Sequence, residues 1–308
     1  MSGRHEPVLR AEVLHFLRNG DGLYLDATLG DGGHAELLLD AEPGARVLGT
    51  DRDREALARA ARHLDRFGDR VTIAHATFRG LPELHARGGG EPFTGVLLDL
   101  GLSSPQIDDA ARGLSFKAEG PLDLRLDRDA GVPAAERLRT ASEEEVADVL
   151  ERHGDVRGSR RLARVLVAAA RSGALLTTRD LAATVDRAAG GRAHPRRLAQ
   201  VFQALRIWIN GEAEDLEAML AWLPSVVRTG GVVVTLAYHS GEDRRIKQAL
   251  RPPRPSVSPR RLPPVDARLP EEPWSVLTRK VVKPSHDEVA TNPRARSARL
   301  RAFRRNPV

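Results

Sequence analysis

A chain of 308 residues with 41% apolar content can bury a full core, and it fills one large or two modest domains. It has no cysteine, which excludes disulfides, thiol catalysis and cysteine-ligated zinc. No run reaches the roughly 18 apolar residues of a membrane span, and the N-terminus lacks the apolar segment of a signal peptide, so a cytoplasmic location without membrane contact is expected.

The formal net charge of +6 is unevenly placed. Residues 290–308 carry six arginines and no acid, which leaves 42 basic against 42 acidic residues elsewhere. Such a basic end suits a polyanion. Only Lys117, Lys247, Lys280 and Lys283 are lysine, a bias that reflects GC-rich coding as readily as phosphate binding.

Val8, Leu9, Val13, Leu14 and Leu17 are spaced as in a helix that precedes the first strand. Leu23-Tyr-Leu-Asp26 is a short apolar run, followed by Gly30, Gly32 and Gly33 and then by the helical His34-Ala-Glu-Leu-Leu-Leu. Strand, glycine turn and helix start form a unit whose backbone lets a ligand approach closely and offers it free N–H groups. Gly30-x-Gly32-x-x-Ala35 fits a loose dinucleotide fingerprint, which an ordinary turn would also satisfy. Arg46 to Thr50 is a second strand and ends in Asp51, placed where such a unit puts the acid that accepts from ribose hydroxyls. Asp26, ahead of the glycines, is less typical of NAD enzymes and more like the S-adenosylmethionine (SAM) site of class I methyltransferases.

A helix over 53–64 leads to a third strand, Val71 to His75, with Phe78 just beyond its end. Thr94-Gly-Val-Leu-Leu-Asp99-Leu is nearly all apolar, as in a strand buried on both faces of a parallel sheet. The strand ends Asp26, Asp51, Phe78 and Asp99 then share one edge, the edge where open α/β sheets bind ligands. Phe78 and His34 also have bland readings, as a core ring and a polar residue at a helix start.

Residues 101–125 are irregular, and helices follow from Ala134. Ser142 and Thr177 carry N-capping signals, and Pro195 suits the first turn of a long helix running to about Leu223. The expected organisation is a discontinuous core, 1–115 plus 195–308, with an inserted helical domain over 116–194 that recognises substrate. Gly231 to Tyr238 is a fifth strand, Arg251 to Pro273 is a proline-rich loop, and 274–282 with 297–304 form an antiparallel pair that finishes the sheet. His239-Ser240-Gly-Glu-Asp243 does not make a hydrolase triad, because no Gly-x-Ser-x-Gly elbow accompanies it, and no metal site is expected.

Asp99-Leu-Gly-Leu-Ser-Ser-Pro-Gln106 lies where amino-directed methyltransferases carry an Asp/Asn-Pro-Pro-aromatic segment. An exocyclic amine is conjugated with its ring, and acceptors on its N–H groups turn its lone pair toward the methyl donor. Asp99 can supply one, with Ser103 and Ser104 as further catalytic candidates. Alternatively, Asp99 serves only the cofactor.

Gly-Asp-Gly-Gly-His34, Asp51-Arg-Asp, Leu-Leu-Asp99-Leu-Gly-Leu-Ser-Ser-Pro-Gln106-Ile-Asp-Asp, Arg112-Gly-Leu-Ser-Phe, Gly120-Pro-Leu-Asp-Leu-Arg125, Phe202-Gln-Ala-Leu-Arg-Ile207, Tyr238-His-Ser-Gly-Glu-Asp-Arg244 and Asn292-Pro-Arg-Ala-Arg-Ser297 run nearly end to end. Together they resemble the RsmH (MraW) family of bacterial methyltransferases, which act on N4 of a decoding-site cytidine in 16S ribosomal RNA. The resemblance implies a class I SAM-dependent α/β fold (Rossmann-like, mostly parallel sheet with an antiparallel C-terminal hairpin) carrying an inserted all-helical domain. It implies SAM as cofactor, held by Gly32, Gly33, His34, Asp51, Phe78, Asp99 and Gln106, and the small ribosomal subunit as partner. Arg197, Arg206, Arg294 and Arg296 are the candidate RNA contacts, and a homodimer is compatible with it. Two departures are Gly241, where the family commonly has Leu, and Arg196-Arg197 after His194-Pro195. Another nucleic-acid amine as acceptor, an NAD(P) oxidoreductase and a non-catalytic RNA-binding protein are the rival readings.

Overall fold

The computed structural model describes residues 7–251 and 273–307. Most of the proline-rich loop expected over 251–273 lies outside the described residues. In chain order the elements begin α1 (Arg10–Leu17), β1 (Gly22–Asp26), α2 (Gly33–Ala41), β2 (Ala45–Asp51), α3 (Arg54–Leu64), β3 (Val71–His75), α4 (Leu81–Arg87) and β4 (Phe93–Asp99). Helices follow: α5 (Ser104–Asp108), α6 (Ala134–Thr140), α7 (Glu143–Gly154), α8 (Ser159–Arg171), α9 (Thr178–Ala189), α10 (Pro195–Asn210) and α11 (Glu212–Val226). The chain closes with β5 (Val227–Ala237), α12 (Ser240–Leu250), β6 (Trp274–Val276), α13 (His286–Thr291) and β7 (Arg299–Arg305).

The chain divides into two compact units, one of residues 1–101 with 215–308 and one of residues 102–214. In the first, seven strands form one sheet in the order β3-β2-β1-β4-β5-β7-β6. β1 to β5 run parallel, while β7 pairs antiparallel with both β5 and β6. This is the mostly parallel sheet with an antiparallel end that the sequence led us to expect. One face is covered by α1, α2 and α3 through Val13, Leu17, Leu38, Leu39, Leu57 and Leu64. The other is covered by α4, α11 and α12 through Leu81, Leu216, Met219, Leu220, Leu223 and Ile246. Burial on both faces is why β4 is apolar almost throughout.

The register fixes the geometry of the ligand edge. Asp26 is level with Gly49 on β2 and with Leu97 on β4. Asp51 and Asp99 therefore both stand two residues past the end of β1, one on each side, roughly 10 Å apart across the strand spacing. The connections from β1 run to β2 on one side and, after β3, back to β4 on the other. The open point between them is where such sheets receive ligands.

Helices are the regular elements of the second unit, which also holds an irregular segment over 113–133 and an isolated bridge between Pro121 and Thr177. Its core joins Leu138, Val146, Leu150, Leu162, Leu166, Leu181 and Val185 with Leu114, Leu122 and Leu124 from the irregular segment and Val201, Phe202 and Leu205 from α10. The unit is thus wider than the 116–194 insert expected, for two reasons. The irregular stretch after β4 buries three leucines in this core, and α10 packs its apolar face there too. The single long helix expected from Pro195 is also broken. Gly211 takes φ 60 as the C-cap of α10, and the Asn210 side chain is held by the Leu124 carbonyl and the Leu126 N–H, so the chain turns and restarts as α11.

The basic C-terminal segment also differs from a solvated tail. As β7 it lies inside the sheet, and Arg301 is buried against Asp243, with Nε 2.6 Å and Nη2 3.3 Å from the two carboxylate oxygens. Asp243→Ala would leave that guanidinium buried without its acid. It is expected to cost about 3 kcal/mol and lower the melting temperature by about 10 °C. Lys247→Met, at the partly exposed edge of the same group, is expected to shift it by less than about 3 °C. Equal melting of wild type and Asp243→Ala would show the pair to be dispensable.

Candidate active site

The site is built on the loop between β1 and α2. Gly32 sits at φ 86, and a Cβ there would press on Leu64 at 2.9 Å. A Cβ on Gly33 would meet the Pro7 ring at 2.6 Å. These glycines are therefore demanded first by the turn and by protein packed behind it, and the close approach they allow a ligand follows. Asp51 fastens the loop: Oδ2 accepts from the Gly30 N–H at 2.8 Å and Oδ1 from the Asp53 N–H at 2.9 Å. The Leu29 N–H adds a bond to the Thr50 carbonyl at 2.8 Å. Burial raises the Asp51 carboxyl above its usual range, against the lowering effect of those N–H donors.

Asp99 is anchored at its backbone, whose N–H donates to Thr28 Oγ1 at 2.7 Å. His34, at the start of α2 and 8% exposed, brings Nε2 to 3.8 Å from Asp99 Oδ2. The Tyr238 hydroxyl and the Gly101 N–H face the same carboxyl and act to lower its pKa, whereas Oδ1 is buried with no hydrogen-bond partner. Gly101 makes room for this, since a Cβ there would meet the Tyr238 ring at 2.6 Å. Burial pushes Asp99 up to about 6, with Glu242 and Asp51 adding repulsion against the hydrogen bonds. Asp26, 5% exposed, is pushed by burial to about 7, helped by the charges of Asp99 and Asp51 and opposed by the Thr28 N–H. Burial, and then the charge of Asp99, also lifts the Tyr238 hydroxyl well above its usual value.

The structure thus brings Gly32, Gly33, His34, Asp51 and Asp99 to one edge of the sheet, as the sequence suggested. Phe78 follows β3 at the same edge and is half-buried against the apolar cluster that holds Leu81 and Leu216. Ser103, Ser104 and Gln106 belong to the second unit. There Ser103 caps α5, accepting from the Gln106 N–H at 3.4 Å while Gln106 Oε1 accepts from the Ser103 N–H at 2.9 Å. Its hydroxyl is engaged in a capping box, which tells against a catalytic part for it. Arg206 forms a two-pronged pair with Glu212, 2.8 Å on each side and largely buried, so it does not offer its guanidinium to RNA. Arg197 is half-buried in α10, and Arg294 and Arg296 are exposed on the short turn before β7. Tyr238 was missed as a site residue although it stands at the end of β5, the next strand tip along. Among the described residues no group of three or more acids and histidines could hold a metal, and no helix is long and apolar enough to cross a membrane.

Three acids, Asp26 buried and Asp51 and Asp99 part-buried, converge at one edge of the sheet, and the arrangement favours a cation over a pyrophosphate. A cofactor with a sulfonium and an ammonium group meets that requirement, and the glycine turn stands beside an acid, Asp51, at the end of β2. With this sheet order, they define a class I SAM-dependent methyltransferase. The comparisons carry this to a family. The model of the MraW methylase family matches residues 2–306. Ribosomal RNA small subunit methyltransferase H of Sorangium cellulosum (strain So ce56) is 46% identical over 309 residues, covering 98% of this chain and 91% of its own. Proteins of the same name from Syntrophotalea carbinolica and Anaeromyxobacter sp. (strain K) are 41% and 43% identical, covering 98% and 97% of this chain and of themselves. The chain belongs to the MraW methylase family; it is a methyltransferase, and SAM is its methyl donor.

The raised carboxyls set a pH dependence. A bound cation favours ionised Asp26 and Asp99, so binding lowers their pKa and releases protons. SAM affinity is expected to rise between pH 5.5 and 7.5, where the ligand's own α-amino group (pKa about 8) stays largely charged. Calorimetry at pH 6.5 in buffers of different ionisation enthalpy should record net proton release. Flat affinity with no proton exchange would contradict this reading of the site.

Proposed function

We propose that this protein transfers a methyl group from SAM to the exocyclic N4 of a decoding-site cytidine in 16S ribosomal RNA. The names of its relatives support a small-subunit ribosomal RNA substrate. The observation that carries the amine reading is the buried, unpartnered Oδ1 of Asp99 at the tip of β4. A carboxylate ionised near neutral pH and short of a donor is matched to an N–H of an amino group. By accepting it, Asp99 turns the nitrogen lone pair out of conjugation and toward the sulfonium methyl. The N–C bond forms as the S–C bond breaks, S-adenosylhomocysteine leaves, and Asp99 takes the amine proton. Gly32, Gly33 and His34 lie at the amino-acid end of the donor, Asp51 at the ribose and Phe78 at the adenine, with Gln106 assigned by family resemblance alone and Ser104 kept as a catalytic candidate.

The target base must leave its stack to reach a crevice at a sheet edge. Arg294 and Arg296, exposed on the core unit, and Arg197 on the helical unit would hold RNA phosphates, and the helical unit would contribute to substrate recognition. The small ribosomal subunit as partner and the cytoplasm as location belong to the same reading.

The direct test is transfer of tritium from labelled SAM to 30S subunits and to naked 16S RNA, with the modified nucleoside identified by mass spectrometry. N4-methylcytidine at one site is expected; label in another nucleoside would overturn the proposal. Asp99→Asn is expected to lower kcat by about a hundredfold and to remove the rise in rate through pH 6, since the amide cannot ionise. An unchanged kcat would assign Asp99 to the cofactor alone. Replacing Arg294 and Arg296 by alanine is expected to reduce the salt slope of RNA binding by about two, and an unaltered slope would remove them from the RNA contact.

A further inference from the structure

A buried carboxylate away from the strand tips has no part in the reading above. Asp215, in the first part of α11, is 4% exposed. It binds two guanidinium groups, one on each oxygen: Arg52 Nη2 is 3.2 Å from Oδ2, and Arg79 Nε donates to Oδ1. Those two arginines are placed with some point. Arg52 directly follows Asp51 at the end of β2, and Arg79 directly follows Phe78 beyond β3. The two turns are already tied along the backbone, where the Ala76 N–H donates to the Asp51 carbonyl at 3.1 Å and His75 Nε2 donates to the Arg52 carbonyl at 3.0 Å. Those bonds fix the two strand tips relative to each other and leave their position over the sheet face to packing. Asp215 adds a brace from a different element, a helix whose Leu216 joins the same apolar cluster against which Phe78 lies.

The balance of charge explains why the acid stays buried. One carboxylate faces two guanidinium groups, so removal of its charge leaves two cations facing each other beside the ligand site. Arg79 is 58% exposed at its side chain, so loss of the Asp215 charge weakens the hold on the turn that carries Phe78. Displacement of a binding turn by even 1 Å is enough to cost affinity or rate.

We propose that Asp215 is a positioning residue for the nucleoside end of the methyl donor, holding Arg52 and Arg79 so that Asp51 and Phe78 keep the separation that ribose and adenine require. This rests on the assignment of Asp51 and Phe78 to SAM. It concerns donor binding, not the chemical step, and that sets its signature.

Asp215→Asn keeps the shape and removes the charge, Asp215→Glu keeps the charge, and Arg79→Gln cuts the brace from its exposed side. Kinetics with a saturating RNA substrate and calorimetric titration with SAM and S-adenosylhomocysteine are the measurements. Asp215→Asn is expected to raise KM for SAM and the Kd of both ligands by about tenfold, with kcat at saturating SAM within about twofold of wild type. Arg79→Gln is expected to do the same more weakly, and Asp215→Glu to recover most of the loss. Wild-type Kd and KM in both Asp215→Asn and Arg79→Gln would overturn the proposal. A fall in kcat at unchanged KM would also overturn it, and so would loss of folding in both variants, which would make the carboxylate purely structural. If wild type itself bound no SAM, the functional reading would fall instead, so the two failures are distinguishable.

Discussion

Everything at the ligand edge depends on the carboxylate of Asp51 holding the turn that follows β1. Two N–H donors from different elements, Gly30 and Asp53, converge on its two oxygens. One side chain thereby joins the glycine turn to the end of β2 and the start of α3. Each oxygen keeps a lone pair, so the residue that shapes the loop can also accept from a ligand. The parallel register does the rest, setting Asp51 and Asp99 at equal heights on either side of β1. A ligand that spans the end of β1 meets both.

The electrostatics of the crevice follow from where the sheet puts these acids. Asp26, Asp51 and Asp99 are each held above the usual carboxylate range, mainly because they are out of water. A site that keeps several acids close and largely withdrawn from water is uncomfortable when empty and well suited to positive charge. That physical preference separates a sulfonium donor from a dinucleotide more sharply than the glycine spacing does, since the two share the turn.

Much of this was legible in the sequence because buried parallel strands read as continuous apolar runs and ligand residues fall at their ends. Leu23 to Asp26, Arg46 to Asp51 and Thr94 to Asp99 announced themselves in this way. The limits of the helical unit did not. Leu114, Leu122 and Leu124 are buried in its core from an irregular segment with no periodicity to betray them. The helix break at Gly211 was hidden by apolar spacing that continues on both sides of it. The arginines near the C-terminus looked like a free basic end, yet Arg301 is spent on Asp243 and Arg305 on the Pro224 and Pro273 carbonyls and the Trp274 ring. Pairings such as Arg52 with Asp215 and Tyr238 with Asp99 join residues far apart in the chain, and no local pattern carries them.

The central claim is that one small molecule touches the glycine turn, the end of β2 and the end of β4 together. Amide hydrogen exchange with and without saturating SAM measures this on the intact protein. The account predicts slowed exchange in three separate stretches at once, around residues 28–34, 51–53 and 99–101, all tracking the same SAM occupancy. Protection confined to one of these stretches, or lying elsewhere in the core unit, would contradict it.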